Sequence, residues 1–294
     1  MVHRPLGNHH VRPDTLLVTS DATKQTVPVA DEKEPQREPG ELSESVERAG
    51  PVERAETAEP AAGPEELAEL VKGARYVLFD FDGPICRLFA GRPASMIARA
   101  QVEWLDGQGL GEALTPAERV DEDPHSALRS LGLQRPDSDL VVEMEKRLTD
   151  QELRAVRSAW PTEHADPLIR TWTAVGARLA ITTNNAPEAA RRYIEGRGLS
   201  ACFEPHIYGR TQDLKLLKPD PYCLNRALQA MGAAPAATLM IGDTPTDLAA
   251  ARAAGVGFLG YARNERKAGL LRDAGARHVI GSLQTLLGIL IKRT

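Results

Sequence analysis

The sequence predicts an α/β fold: a parallel sheet with helices on both faces, interrupted after its first strand by a block of inserted helices. Two observations carry this. Short apolar runs recur from Tyr76 onward, and between most of them lie segments whose apolar residues follow a helical period. Strands alternating with helices make a parallel sheet, because each helix crosses one face to reach the next strand.

The first strand is Tyr76-Val77-Leu78-Phe79, an apolar run that ends in acids, as a buried parallel strand does when its C-terminal end carries a site. The same signature returns at Arg178 to Thr182, Thr238 to Ile241, Val256 to Leu259 and His278 to Ile280. Helical patterns cover Pro187 to Gly196, Pro221 to Met231, Pro245 to Ala254, Glu265 to Ala274 and Leu283 to Ile291. Several open on Pro and close near Gly, the asymmetry expected of helix ends. Between about Ala94 and Trp160 the alternation stops. That stretch reads as helices throughout, at Ala94 to Asp106, Pro116 to Val120, His125 to Leu131, Ser138 to Leu148 and Asp150 to Ser158. Its place between the first and second strands predicts a cap at 94–160 over a core built from 71–93 and 161–294.

Residues 1–70 stand apart. No Phe, Tyr or Trp precedes Tyr76, and residues 1–70 hold 15 acidic and 7 basic side chains, so they carry −8 against a net charge of −5 for the whole chain. So acidic, Pro- and Glu-rich a segment has too little apolar surface to offset the entropy of ordering it, and a disordered tail is expected, with a short helix near Pro64 to Val71. The remainder is close to neutral and gives no electrostatic case for nucleic acid or acidic membranes. Cys86, Cys202 and Cys223 lack a paired spacing, which fits a reducing compartment. No apolar run nears the roughly 20 residues of a membrane span, and Leu16-Leu17-Val18 is too short for a signal peptide. A cytoplasmic protein is expected. Nothing in the sequence fixes its oligomeric state.

Four short motifs follow apolar runs or precede helices: Phe79-Asp80-Phe81-Asp82-Gly83, Ile181-Thr182-Thr183-Asn184, Lys218-Pro219-Asp220-Pro221 and Ile241-Gly242-Asp243-Thr244-Pro245-Thr246-Asp247. Side chains so placed in separate βα units converge on one ligand. Asp80 and Asp82 are spaced so that one can act as nucleophile and the other as general acid and base. A calcium loop would need Glu at its twelfth position, where Gly91 stands. Asp243, facing Asp80 from a second strand end, would complete an oxygen cage for Mg²⁺. Asp247 lies three residues after Thr244 and reads equally as a metal ligand or as the partner in a capping box. Thr183 and Asn184 offer a hydroxyl and backbone N–H groups to phosphate oxygens near a helix start. Lys218 is held extended before Pro219, with Lys215 as its rival.

Taken together, the four motifs resemble those of the haloacid dehalogenase-like hydrolase superfamily over Arg75 to Ile291. The match is to the branch with a helical cap after the first motif, which includes phosphoglycolate phosphatase-like enzymes and β-phosphoglucomutase. The resemblance implies a Rossmann-like core, Mg²⁺ and an aspartyl-phosphate intermediate in a small-molecule phosphatase. It makes Asp80 the nucleophile and Asp82 the acid and base. Asp80, the Asp82 carbonyl and Asp243 would hold the metal with Asp247 beside them, and Thr183 and Lys218 would hold phosphate. Pro84 departs from the pattern, since the family usually has Thr or another small polar residue there.

Dehalogenase and phosphonate chemistries of that family lack the second acid that Asp82 supplies. A phosphomutase is the enzymatic alternative; the family's mutase has a cap-side His soon after motif one, and no His occurs between Gly83 and Pro124. A regulatory or binding protein on the same scaffold is the other alternative, although Asp80, Asp82 and Asp243 are all present. Arg87, Arg92, Arg99, Trp104 and Arg129 could face the substrate, but spacing selects none of them.

Overall fold

The structure is a computed structural model and describes residues 63–292. Residues 1–62, most of the expected tail, lie outside the described residues. In chain order the elements are α1 (Pro64–Gly73), β1 (Tyr76–Phe79), β2 (Cys86–Arg87), α2 (Ala94–Gly107), α3 (Pro116–Arg119), α4 (Ser126–Gln134), α5 (Asp139–Val156), β3 (Trp160–Pro161), α6 (Ala165–Ala174) and β4 (Arg178–Thr182). There follow α7 (Pro187–Gly196), α8 (Ser200–Phe203), β5 (Ile207–Tyr208), α9 (Tyr222–Met231), β6 (Thr238–Gly242), α10 (Pro245–Ala254), β7 (Gly257–Tyr261), α11 (Glu265–Asp273), β8 (Val279–Ile280) and α12 (Gln284–Ile291).

Six strands form one parallel sheet in the order β5-β4-β1-β6-β7-β8, with helices around it as predicted. Because β1 is central and buried on both faces, Val77, Leu78 and Phe79 are fully covered. Phe79 meets Trp172 of α6 and Phe203 of α8 edge-on, with ring centroids 5.7 and 6.0 Å away. Leu78 enters the opposite layer with Leu224 and Leu228 of α9. The helix expected near Pro64 to Val71 is α1, and it belongs to the core: Val71 is fully buried, with Leu67 and Leu70 packed beside it. A tail boundary at residue 70 therefore falls inside a helix.

The inserted segment is helical and has its own apolar cluster, in which Leu105, Leu128, Leu131, Met144 and Leu148 are fully buried. Leu214 and Leu217, from the loop that leads to Lys218, complete that cluster. Two of the expected helices, Ser138 to Leu148 and Asp150 to Ser158, are a single helix, α5. Thr149, which stands between them, is within the helix and donates its hydroxyl to Glu145 Oε1 one turn back.

Elements too short or mixed for periodicity are absent from the sequence reading. β2 and β3 pair antiparallel through two residues each, bringing Trp160–Pro161 back beside Cys86–Arg87. Helix α6 carries Pro167 and two threonines whose hydroxyls bond Pro167 O and Ile169 O, a composition of low helix propensity. Its buried Leu168, Ile169 and Trp172 hold it to the core.

Candidate active site

The sheet order brings the motifs together. β4 and β6 flank β1 in register, with Phe79 opposite both Ile181 and Ile241, so Asp80, Thr183 and Asp243 leave neighbouring strand ends at the carboxyl edge. That edge, where the strand order reverses, is where open α/β sheets bind ligands. The cavity there is about 280 Å³ and is lined by all seven expected residues: Asp80, Asp82, Thr183, Asn184, Lys218, Asp243 and Asp247.

Lys218 is at its centre. Its side chain is 2% exposed, and Nζ donates to Asp80 Oδ1 at 2.9 Å, Asp247 Oδ1 at 2.5 Å and Thr182 O at 3.0 Å. Burial alone would push its pKa down, but the two carboxylates outweigh this and hold it protonated. Its rival Lys215 is exposed on a 3₁₀ turn, outside the cavity lining. Asn184 clamps the backbone of Lys218, accepting from its N–H at 2.8 Å and donating to its C=O at 3.2 Å. The amide of Asn184 is thus committed, which leaves its backbone N–H as the group available to phosphate.

Burial raises the Asp80 carboxyl to about 6, opposed by Lys218 and reinforced by Asp247 and Asp243. Burial raises Asp82 to about 6 as well, against the bond its Oδ1 accepts from Leu88 N–H at 2.8 Å. An acid and base poised there can give and take a proton near neutral pH. The turn beyond it tolerates Pro84. Gly83 N–H bonds Cys86 O at 2.6 Å and Thr162 Oγ1 donates to Gly83 O at 2.5 Å, so no N–H is needed at position 84. Gly83 itself is required: its φ is +121°, and a Cβ there would run into the Asp243 carboxylate.

Carboxylate oxygens of Asp80, Asp243 and Asp247 lie within 4.8 Å of one another. Asp243 Oδ1 is buried with no hydrogen-bond partner, while Oδ2 meets the Lys267 ammonium from α11. An orphaned carboxylate oxygen beside two other acids fits a hard divalent cation. The capping-box reading of Asp247 holds, and its carboxylate also lies in this acidic group. Its Oδ2 closes the capping box of α10, accepting from Thr244 N, and its Oδ1 meets Lys218. Asp82 is not in this carboxylate group, so its side chain does not join the candidate metal ligands.

Behind Thr183 lies a buried ionic cluster that the motifs do not reveal. Thr183 Oγ1 bonds Asn185 Oδ1 at 3.1 Å, and Asn185 Nδ2 donates to Glu152 Oε1 at 3.0 Å. Glu152, fully buried on α5, also accepts from Ala186 N at 2.9 Å and from both terminal nitrogens of Arg210 at 2.9 and 3.0 Å. A side chain of the insertion therefore orients the loop that carries Thr183. One signal was available: Glu152 occupies the apolar stripe of α5 formed by Val141, Met144, Leu148 and Ala155.

His125, at the N-terminus of α4, completes the cluster, with Nδ1 2.9 Å from Asp123 and Nε2 3.3 Å from Glu152. Burial would lower its pKa, but Asp123 and Glu152 prevail and raise it to about 9, while Arg210 is neutralised by Glu152. A folded-state pKa above the unfolded value means stability that is full below about 6.5 and lost as pH rises through 9. We expect denaturant titrations to show a loss on the order of 3 kcal/mol between those limits, absent in His125→Gln. A pH-independent wild type would refute the pairing.

The sequence model of the haloacid dehalogenase-like hydrolase family matches residues 74–255. The chain belongs to the haloacid dehalogenase-like hydrolase family. Over 100 residues it is 39% identical to a phosphoglycolate phosphatase of Rhodospirillum rubrum, covering 33% of this chain and 41% of that protein. Over 131 residues it is 30% identical to the pyrophosphatase PpaX of Halalkalibacterium halodurans, covering 44% and 59%. The matches thus span less than two thirds of these relatives. A protein of Clostridium acetobutylicum described as a predicted phosphatase shares the fold, with a TM-score of 0.55, 17% identity, and coverage of 74% of this chain and 99% of that one. Among the described residues no helix is long and apolar enough to cross a membrane.

Proposed function

We propose that this protein is a Mg²⁺-dependent phosphatase that hydrolyses a small phosphomonoester through an aspartyl-phosphate on Asp80. The carrying observation is the buried Lys218 ammonium between Asp80 and Asp247, at a cavity that also presents Thr183, Asp82 and an unpartnered Asp243 oxygen. Asp80 attacks phosphorus as the bond to the leaving oxygen breaks, and Asp82 gives that oxygen its proton. Asp82 then takes a proton from water, the water oxygen bonds phosphorus, and the Asp80 carboxylate is released. Thr183, its hydroxyl turned from Asn185, and Lys218, its ammonium giving up one of its three acceptors, hold the phosphoryl oxygens. Mg²⁺, when bound by Asp80, Asp243 and the Asp82 carbonyl with Asp247 beside them, would offset negative charge on the transferring group.

The helices of 94–160 act as the cap in this reading, because His125 and Arg129 line the same cavity as Asp80. Mutase chemistry is less well supported. His125 is in the cavity wall, but held between two carboxylates it is a poor proton acceptor. The unpaired cysteines keep a cytoplasmic location as our expectation.

Activity is expected to vanish in chelator, return with Mg²⁺ and be inhibited by Ca²⁺, whose longer bonds and higher coordination spoil in-line attack. Release of phosphate from p-nitrophenyl phosphate in each condition checks this. Full turnover in chelator would remove the metal from the reading.

A further inference from the structure

We infer that Arg129 is the specificity-determining residue of this site, binding an anionic group on the leaving side of a short phosphate ester or phosphoanhydride. The inference rests on the phosphatase reading and names the substrate class. Four cationic side chains line the cavity, and three of them are neutralised where they stand. Lys218 meets Asp80 and Asp247, Lys267 meets Asp243, and His125 meets Asp123 and Glu152. Arg129 is different. Among the described residues no carboxylate forms an ion pair with it, and its hydrogen bond is a single one, from Nη2 to Lys218 O at 3.2 Å.

A guanidinium has five N–H donors in a rigid fork suited to a carboxylate or phosphate, so a half-buried one with most donors uncommitted lacks its partner. Its bond to the backbone of Lys218 fixes it beside the residue whose ammonium holds Asp80. Glu122 and Asp123 also line the cavity but are exposed, and Asp123, which feels the charge of Arg129 without forming an ion pair with it, is bonded to His125. Because Arg129 sits on α4 of the insertion and the nucleophile on the core, a ligand phosphorylated at one end and anionic at the other would bridge the two. The cavity, at about 280 Å³, lies at the small end for ligand sites, which suits a short ligand.

The test compares phosphoglycolate, pyrophosphate, ethyl phosphate and p-nitrophenyl phosphate on the wild type, Arg129→Met, Arg129→Gln and Arg129→Lys. The wild type is expected to prefer phosphoglycolate or pyrophosphate, and the better of the two says whether the fork takes a carboxylate or a phosphate. For that substrate, Arg129→Met and Arg129→Gln should lower kcat/KM by roughly 30-fold or more, mainly through KM, as expected when a charged hydrogen-bonded pair is lost. Ethyl and p-nitrophenyl phosphate should change less than about 3-fold, and Arg129→Lys, a point charge without the fork, should recover only part of the loss. Equal losses on all four substrates would overturn the inference, because Arg129 would then serve the transferred phosphoryl group or the fold; so would no loss on any. A wild type inert on all four, p-nitrophenyl phosphate included, would instead sink the phosphatase reading and the inference with it.

Discussion

Lys218→Ala is expected to lower kcat/KM by about 3 kcal/mol or more, the order seen when a preorganised charge-stabilising group is removed. The substitution acts twice. It takes away the ammonium that would balance charge on the transferring phosphoryl group, and it leaves Asp80 and Asp247 facing each other in a buried site. With that attraction gone, the Asp80 carboxyl, already raised to about 6, rises further and is a poorer nucleophile at neutral pH. Lys215→Ala, on an exposed turn, should do far less. Thermal melts on both variants separate catalytic loss from unfolding, since breaking a buried ion pair can itself cost about 3–5 kcal/mol. A larger loss at Lys215, with both proteins folded, would move the functional lysine.

What the sequence shows and what it hides divide along sequence distance. Asp80, Thr183 and Asp243 are legible because each follows a buried strand, and a polar residue that ends an apolar run is a local signal. The boundaries of α7 and α10 are legible for the same reason: Pro opens each, and the sequence shows it. The cluster around Glu152 is not, because its members lie tens of residues apart: Arg210 is 58 positions from Glu152 and Asn185 is 33. Only the place of Glu152 on the buried stripe of α5 betrays it. The two-residue strands β2, β3 and β5 are held by tertiary pairing and are too short to show alternation. Arg129 was visible as a residue but not selectable. What marks it is the carboxylates around its neighbours, a property of the folded site.

Asp80→Asn should abolish turnover on every substrate, because without a carboxylate nucleophile no phosphoenzyme can form. Asp82→Asn should behave differently, since it keeps the backbone and removes only the proton relay. Its side chain already accepts from Leu88 N–H at 2.8 Å, a bond that an amide oxygen can also accept, so the turn after motif one should survive. On p-nitrophenyl phosphate, whose leaving group needs little protonation, the first step should partly persist. Hydrolysis of the aspartyl-phosphate still needs a base to activate water, so a burst of nitrophenol followed by slow turnover is expected, with phosphoenzyme trapped on acid quench. On an alkyl phosphate, whose poor leaving group does need the acid, even the burst should vanish. If Asp82 served only to shape the turn, both substrates would suffer alike. Equal losses on aryl and alkyl phosphates, with no trapped phosphoenzyme, would therefore reject the acid–base role of Asp82 while leaving Asp80 as the nucleophile.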